Sequence, residues 1–157
     1  MQRVEITKDV LRNSVACFFG SDFEANKKSL SGSKSKMRGI IGEVLFKSKY
    51  SIAKYIDCYD YDFLLKDKRI DIKTKFINVF PNEKVFVNVK ADPLQDTDFY
   101  YFIMVLSNLK YAWHLGYISK DDFLREATLR KKGEVKDNFT FDFDHYELPI
   151  KKLRGTE

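Results

Sequence analysis

Apolar and polar residues alternate through the middle of the chain in a pattern that predicts a β-hairpin over residues 59–76. This stretch reads YDYDFLLKDKRIDIKTKF, and its apolar runs Phe63–Leu65 and 70–72, the latter interrupted by Asp71, flank the polar residues 66–69. Two apolar runs around a polar turn are typical of a hairpin. The turn contains no Gly or Asn, so a two-residue primed turn would be strained. We therefore expect a four-residue loop built on a type I turn.

The length of this loop decides which side chains share a face of the hairpin. A four-residue loop pairs Leu65 with Ile70 and places Asp62 opposite Lys73. Since side chains alternate between faces, Asp62, Asp71 and Lys73 then lie together, within reach of one divalent cation. A loop that is one residue longer or shorter would move Asp62 to the other face. The alternative interpretation is a solvent-facing hairpin with ordinary Asp–Lys cross-strand pairs.

Two helices are predicted before the hairpin. Thr7 is a good cap for a first helix over residues 8–19. A longer helix over residues 35–56 has apolar residues mostly three and four positions apart, as one buried face requires. Gly39 and Gly42 lie inside it, where each costs about 1 kcal/mol relative to Ala. Such glycines predict that the helix backbone approaches another element closely.

After the hairpin, the pattern predicts three strands, a short helix and two strand-like segments in the tail. In chain order these are residues 84–91, 99–106, 111–118, 120–127, 138–143 and 146–153. The second strand, FYYFIMVL, is apolar almost throughout, as in a strand buried on both faces. In the third, we expect Trp113 to pack in the core and His114 to make a satisfied polar contact. The fold class is thus α/β (α+β): one domain over residues 1–157 with a central mixed β-sheet flanked by helices.

Composition limits the class of protein further. With 157 residues, 44% of them hydrophobic, the chain can bury a real core. No stretch approaches the roughly 20 apolar residues that span a bilayer, and the charged N-terminus has no apolar signal core. We therefore expect a cytoplasmic protein with no membrane partner. Cys17 and Cys58 lack partners at metal-binding or redox spacing, which predicts buried, reduced thiols.

The distribution of charge suggests a polyanionic partner. The net charge is +5. Residues 27–54 contain eight Lys or Arg and a single acid, Glu43, whereas residues 57–98 contain nine acids and seven bases. An acidic cluster beside a basic segment suits a metal site served by a polyanion-binding surface. The alternative is that lysine-rich helix faces only keep the fold solvated.

Three motifs follow one another in a recognisable order. They are RGIIGEVLF around Glu43 in the second helix, YDFLL around Asp62, and IDIKTK around Asp71 and Lys73. This order resembles the PD-(D/E)XK nuclease superfamily, which unites type II restriction enzymes, Holliday-junction resolvases and RecB-type nucleases. The resemblance covers about a third of the chain. In that family a proline often precedes the first aspartate; Tyr61 stands there in this chain, which keeps Asp60 as an alternative to Asp62.

The resemblance implies a restriction-endonuclease-like core and a Mg²⁺-dependent nuclease acting on DNA, with Mn²⁺ able to substitute. Glu43, Asp62, Asp71 and Lys73 would be its catalytic residues. The three carboxylates would also hold the metal, Glu43 directly or through water, together with the backbone carbonyl of Ile72. The chemistry agrees, because Mg²⁺ prefers oxygen ligands and a lysine can position the nucleophile or stabilise developing negative charge.

Five basic residues are candidates for contact with the nucleic-acid backbone, where counterion release would drive binding. They are Lys36, Arg38, Lys47, Lys75 and Lys90. Many relatives act as homodimers, so the resemblance also allows a homodimer here. The alternative function is a catalytically silent nucleic-acid-binding module of the same fold.

Overall fold

The computed structural model describes residues 1–20, 33–56, 58–91, 95–136 and 139–155. Within these ranges the chain forms eleven short strands, three α-helices and one 3₁₀ helix. They are β1 (Gln2–Glu5), α1 (Lys8–Gly20), α2 (Ser33–Lys49), β2 (Lys54–Tyr55), β3 (Phe63–Leu65), β4 (Lys68–Ile77), β5 (Phe86–Lys90), β6 (Phe99–Leu106), β7 (Tyr111–Ser119), α3 (Lys120–Glu126), β8 (Thr128–Arg130), β9 (Val135–Lys136), β10 (Phe139–Thr140), β11 (His145–Pro149) and the 3₁₀ helix Ile150–Lys152.

The main sheet has six strands in the order β1-β7-β6-β4-β3-β2. Strands β4 and β6 run parallel, and the other neighbouring strands are antiparallel. A three-stranded sheet, β5-β11-β8, and the pair β9-β10 complete the strand pairing of the described residues. The predicted mixed sheet with helices is therefore confirmed.

Strand β6 is buried on both faces, as predicted, because its side chains alternate between two cores. The odd-numbered residues from Tyr101 to Val105 pack in a core with α1 and α2. The even-numbered residues from Tyr100 to Leu106 pack in a second core with α3 and the three-stranded sheet. One strand thus joins the two hydrophobic clusters.

The first helix begins as predicted and ends one residue later, at Gly20, whereas the second ends early. The hydroxyl of Thr7 accepts a hydrogen bond from the backbone N–H of Val10, 3.3 Å away, which caps α1. Helix α2 ends at Lys49 rather than at residue 56, because the chain turns there to pair β2 with β3. The ammonium group of Lys47 donates to the carbonyls of Ser51 and Ala53, each at 2.6 Å, and holds this turn.

Several smaller expectations need correction. Strand β1 was not predicted, and the tail strands β10 and β11 are shorter than the predicted segments. Cys58 is an exposed thiol, not a buried one, and its Sγ lies 3.2 Å from the carbonyl oxygen of Tyr61. The side chain of Cys17 lies outside the described part of the structure. No helix in the described ranges is long and apolar enough to cross a membrane.

Helix α2 lies close against β4 at Gly42. A Cβ atom on Gly42 would lie 1.9 Å from Oγ1 and 3.0 Å from Cβ of Thr74, closer than side chains can approach. A Cβ on Gly39 would meet only Oε1 of Glu43, at 3.8 Å, which is ordinary van der Waals contact. The predicted close approach is therefore confirmed for Gly42 and not for Gly39.

We expect Gly42→Ala to lower the free energy of unfolding by about 1–3 kcal/mol, because the methyl group must push Thr74 and β4 away. Gly39→Ala is the matched control in the same helix and should raise it by about 0.5–1 kcal/mol, since Ala has the better helix propensity. Urea-induced unfolding of both variants measures the difference. Equal effects of the two substitutions would contradict the close contact.

His114 is buried in β7, with only 2% of its surface exposed. Its Nδ1 lies 3.0 Å from the hydroxyl of Tyr101, so the predicted polar contact is confirmed, as is the burial of Trp113. Burial, and secondly the positive charge of Lys49, lower the pKa of His114 to about 4. The native state therefore holds a neutral imidazole that an unfolded chain would protonate at mildly acidic pH.

This shift makes stability depend on pH. Between about pH 6.5 and pH 4 the unfolded chain binds a proton that the native state does not, so the free energy of unfolding should fall as the pH falls, by on the order of 3 kcal/mol from His114 alone. His114→Gln should remove this part of the pH dependence. Tyr101→Phe, which removes the hydroxyl but keeps the imidazole, should retain it. Urea unfolding at several pH values tests this, and the same pH slope in His114→Gln and in the unmodified protein would contradict it.

Candidate active site

The β3–β4 hairpin has a tighter turn than the sequence predicts. Leu65 pairs with Lys68 rather than with Ile70, which leaves Lys66 and Asp67 as a two-residue turn. Their φ angles are +50° and +61°, in the left-handed region that primed turns require. The predicted four-residue loop is therefore wrong. Such a turn matches the twist of the two strands, which offsets the strain of placing residues other than Gly there.

The error leaves Asp71 and Lys73 together on one face of β4, whereas the Asp62 carboxylate lies at the edge of the strand. The observed register differs from the predicted one by two residues, and faces repeat every two residues along a strand. The pairing of β3 with β4 ends at Phe63–Ile70, and the backbone N–H of Asp62 donates to the carbonyl of Ile70, so Asp62 does not take its predicted place opposite Lys73. The carboxyl groups of Asp62 and Asp71 are close enough to share a hydrogen bond. The two aspartates therefore meet, although the pairing predicted for Asp62 was wrong.

Asp62 directly precedes β3, next to the part of β4 that β3 no longer pairs with. Its Oδ2 accepts a hydrogen bond of 2.7 Å from the backbone N–H of Ile72, in the place that a longer β3 would occupy. The N–H and C=O of one strand residue point to the same edge. The carbonyl of Ile72 therefore faces the same edge of β4 as the Asp62 carboxylate.

Asp71 and Lys73 point from β4 toward the second core. Asp71 is 5% exposed, and its Oδ2 lies 2.7 Å from Nζ of Lys73. Among the described residues that oxygen has no hydrogen bond of good geometry beyond this ion pair. The ammonium group of Lys73 is half-buried and lies 5.8 Å from the ring centre of Tyr100.

Glu43 reaches the same edge from α2. It is half-buried, as predicted for a residue between core and solvent, and it directly follows Gly42, where the helix touches β4. Its negative charge is near enough to raise the pKa of Asp62. Asp62 thus lies between Glu43 on one side of the sheet and Asp71 on the other.

Burial and like charges make the two aspartates hard to ionise. The pKa of Asp62 is raised well above its usual value, chiefly by burial and then by the charges of Glu43 and Asp71; the Ile72 N–H and the Lys73 ammonium offset this in part. Burial also raises the pKa of Asp71, against the opposing effect of Lys73. Three carboxylates beside one ammonium group form an environment that a divalent cation would neutralise.

The donor chemistry of these residues fits Mg²⁺. Carboxylate oxygens and a backbone carbonyl are its usual protein ligands, and the ion keeps several waters that can link a more distant carboxylate. As they stand, no three His, Cys, Asp or Glu side chains of the described residues are gathered closely enough to hold a metal ion. Asp62 is engaged by the Ile72 N–H and Asp71 by Lys73.

The structure separates the two candidates for the first aspartate. Asp60 accepts a hydrogen bond of 3.1 Å from the backbone N–H of Asp96, in the segment before β6. Asp62 instead contacts β4 and is influenced by Asp71 and Glu43. Asp62 is therefore the aspartate that belongs to this cluster.

Two of the residues predicted to contact nucleic acid are Arg38, which lies beside β4, and Lys75, which lies on it. The guanidinium of Arg38 lies 4.8 Å from the ring centre of Phe76, near the end of the strand. The ammonium group of Lys75 donates to the carbonyl of Phe86, 3.1 Å away, and so bridges from β4 to β5. Both stay candidates for contact with phosphate groups.

The other three predicted phosphate contacts are Lys47, Lys90 and Lys36. Lys47 is committed to the turn after α2, so its ammonium group has a structural role. Lys90 is exposed at the end of β5, with Nζ 5.3 Å from the ring centre of Phe143. The side chain of Lys36 lies outside the described part of the chain.

Two residues beside the cluster were missed by the sequence motifs. Tyr100 pairs with Asp71 in the parallel register of β4 and β6, and burial and the Asp71 charge raise the pKa of its hydroxyl. Asn88 in β5 has a buried Oδ1 with no hydrogen-bond partner in the described ranges. The sequence indicated only that Tyr100 lies in a buried strand. It gave no indication of a role for Asn88, which lies within a predicted strand.

In comparisons with known proteins, no family model matches the chain and no curated protein matches it. The function of this cluster therefore has to be judged from its own geometry and chemistry.

We expect Asp62→Asn to be more stable than the unmodified protein by about 1 kcal/mol at neutral pH without divalent metal. The amide oxygen can still accept the Ile72 N–H, while the repulsion from Glu43 and Asp71 and the burial of a charge are removed. Asp60→Asn, whose amide oxygen can likewise accept the Asp96 N–H, is the control and should change stability by less than about 0.5 kcal/mol. Urea unfolding measures both. An Asp62→Asn variant less stable than the unmodified protein would show that the carboxylates do not repel one another as inferred.

Proposed function

We propose that this protein is a Mg²⁺-dependent nuclease that hydrolyses phosphodiester bonds in DNA, with a restriction-endonuclease-like core and a site of the PD-(D/E)XK kind. The observation that carries the proposal is the cluster at the edge of β4. Glu43 from α2, Asp62 from the segment before β3 and Asp71 from β4 lie near one another there, beside the ammonium group of Lys73. Burying so many like charges costs stability, and a cation-binding role gives that cost a reason.

Glu43, Asp62, Asp71 and the carbonyl of Ile72 would hold Mg²⁺, or Mn²⁺ in its place. Bound there, the metal would lower the pKa of a water molecule and offset the negative charge of the phosphate. The hydrogen bond from Ile72 N–H to Asp62 fixes one carboxylate against β4 and keeps the Ile72 carbonyl at the same edge.

Lys73 would act on the reacting groups themselves. Its ion pair with Asp71 holds the ammonium group beside the carboxylates. From there it can donate a hydrogen bond to the attacking water or to a phosphate oxygen as negative charge develops. Because the group is half-buried, this interaction would be stronger than one in open solvent.

The substrate class follows from charge. A chain with a net charge of +5 can bind a polyanion, and Arg38, Lys75 and Lys90 lie on or near the strands around the site. Cutting both strands of a duplex would need two sites, which a homodimer would supply.

Asp62→Asn, Asp71→Asn and Lys73→Met should each lower the cleavage rate by about a hundredfold or more, since each removes a group that holds the metal or stabilises charge. Asp60→Asn and Lys110→Met are the matched controls and should cleave normally. The assay uses labelled single-stranded DNA, duplex DNA and RNA with Mg²⁺, with Mn²⁺ and with EDTA. Circular dichroism checks that each variant is folded.

The outcomes separate the alternatives. Cleavage that EDTA abolishes, and that the three site variants lack, supports the proposal. Salt-dependent DNA binding without cleavage in either metal would instead identify a catalytically silent nucleic-acid-binding module. Normal cleavage by Asp71→Asn or Lys73→Met would overturn the assignment of this site. Loss of cleavage in Asp60→Asn alone would move the role of the first aspartate to Asp60.

A further inference from the structure

Strand β1 forms one edge of the six-stranded sheet. It pairs with β7 on one side, and no strand of the described residues pairs with it on the other. The backbone N–H of Ile6 donates to the carbonyl of Lys110, just before β7, at 3.0 Å. Because successive residues of a strand point their N–H and C=O groups to opposite edges, those of Val4 also point to β7. The outer edge of β1 therefore presents the N–H and C=O groups of Arg3 and Glu5.

The side chains of this edge carry one charge of each sign. Edge strands often carry charged side chains that prevent pairing with another chain. Arg3 and Glu5 are both exposed, and they lie on the same face because they are two residues apart. The Arg3 guanidinium lies 5.2 Å from the ring centre of Tyr111, and within the described part of the chain neither charge has an ion-pair partner. Opposite charges repel an approaching strand in some registers and attract it in others.

The backbone and the charges together select one register between β1 and a second copy of itself. In an antiparallel pair the outward-pointing groups face one another, so Arg3 and Glu5 pair only with odd-numbered residues of the second copy. A symmetric pair centred on Arg3 or on Glu5 places like charges directly opposite one another, which is destabilising. A pair centred on Val4 places Arg3 of each copy opposite Glu5 of the other. Strand β1 is therefore complementary to itself.

Exposed apolar side chains border the same edge. Phe80, in the segment after β4, packs on Trp113 with the ring centres 5.4 Å apart, and it contacts Tyr111 as Arg3 does. Even so, Phe80 is 57% exposed, and Val79 beside it is 70% exposed. Trp113 pairs with Arg3, so this apolar surface lies about one strand spacing, roughly 5 Å, from the edge. It is within reach of a chain that pairs with β1.

We propose that β1 is the interface of a homodimer, in which it pairs antiparallel with β1 of a second copy, centred on Val4. Arg3 of each copy exchanges both backbone hydrogen bonds with Glu5 of the partner subunit, and their side chains form an ion pair. The exposed Phe80 and Val79 add apolar contact beside the strands. The two six-stranded sheets continue as one. This interface is independent of the proposed nuclease function.

Sedimentation equilibrium of the full chain, from micromolar to submillimolar concentration, measures the association, and a dimer should form at the upper end. Arg3→Glu and Glu5→Arg each place like charges opposite one another, so each should weaken the dimer by about tenfold or more. The double variant restores both ion pairs and should recover the affinity to within about threefold. Lys54→Glu, on the opposite edge strand β2, changes the net charge as Arg3→Glu does and should have no effect. Circular dichroism checks that each variant is folded.

Amide hydrogen exchange in the unmodified protein, followed by NMR, tests the strand pairing directly. The amide protons of Arg3 and Glu5 should exchange slowly when the protein is concentrated and rapidly after dilution, because only the second copy bonds them. The amide proton of Val4 is the internal control. It is bonded within the sheet and should exchange slowly at both concentrations.

The outcomes separate this interface from the alternatives. A monomer at the highest concentration would overturn the proposal. A dimer in which the amide protons of Arg3 and Glu5 exchange rapidly would also overturn it and would locate the interface on another face. Unchanged affinity in Arg3→Glu, or a double variant that binds no more tightly than the single variants, would overturn the register. Metal-dependent cleavage by a monomer would support the nuclease and overturn this interface.

Discussion

The candidate site depends on one close contact, that of the α2 backbone with β4 at Gly42 and Thr74. Glu43 is the next residue on the helix, and Lys73 precedes Thr74 on the strand, so this contact positions two members of the cluster together. Only a residue without a side chain allows the approach. Asp62 completes the cluster because β3 begins at Phe63 and leaves the edge of β4 open before it. The site therefore lies at a sheet edge, where groups from both faces can meet.

The same arrangement is costly for the fold. Asp71 is buried and Asp62 is half-buried beside it, and an isolated buried charge is strongly unfavourable unless it is paired. The Ile72 N–H and the Lys73 ammonium compensate in part. The two hydrophobic cores on either side of β6 offset the remaining cost. Local features that oppose stability are expected at functional sites rather than elsewhere in a fold.

Sequence reasoning succeeded where a pattern was continuous and failed where a turn decided the outcome. The buried strand β6 begins and ends as predicted because its apolar run has clear limits. The hairpin turn was wrong because Lys66 and Asp67 adopt positive φ without the Gly or Asn that signals it. Asp71 still lies on the predicted face of β4, since a register shift of two residues does not change which side chains share a face. Helix α2 was predicted to be too long because Ala53 continues the helical spacing of the apolar residues. Ala53 is buried, but it lies beyond the helix, which ends at Lys49.

Asn88 shows what sequence patterns alone cannot supply. Strand β5 was predicted as a strand, yet it pairs with β11, more than fifty residues later, and not with its neighbours in the chain. That pairing places β5 beside β4 with a cavity between them, bordered by Lys73. Lys73 thus connects two features that no local motif joins, the carboxylate cluster through Asp71 and the cavity through its open side.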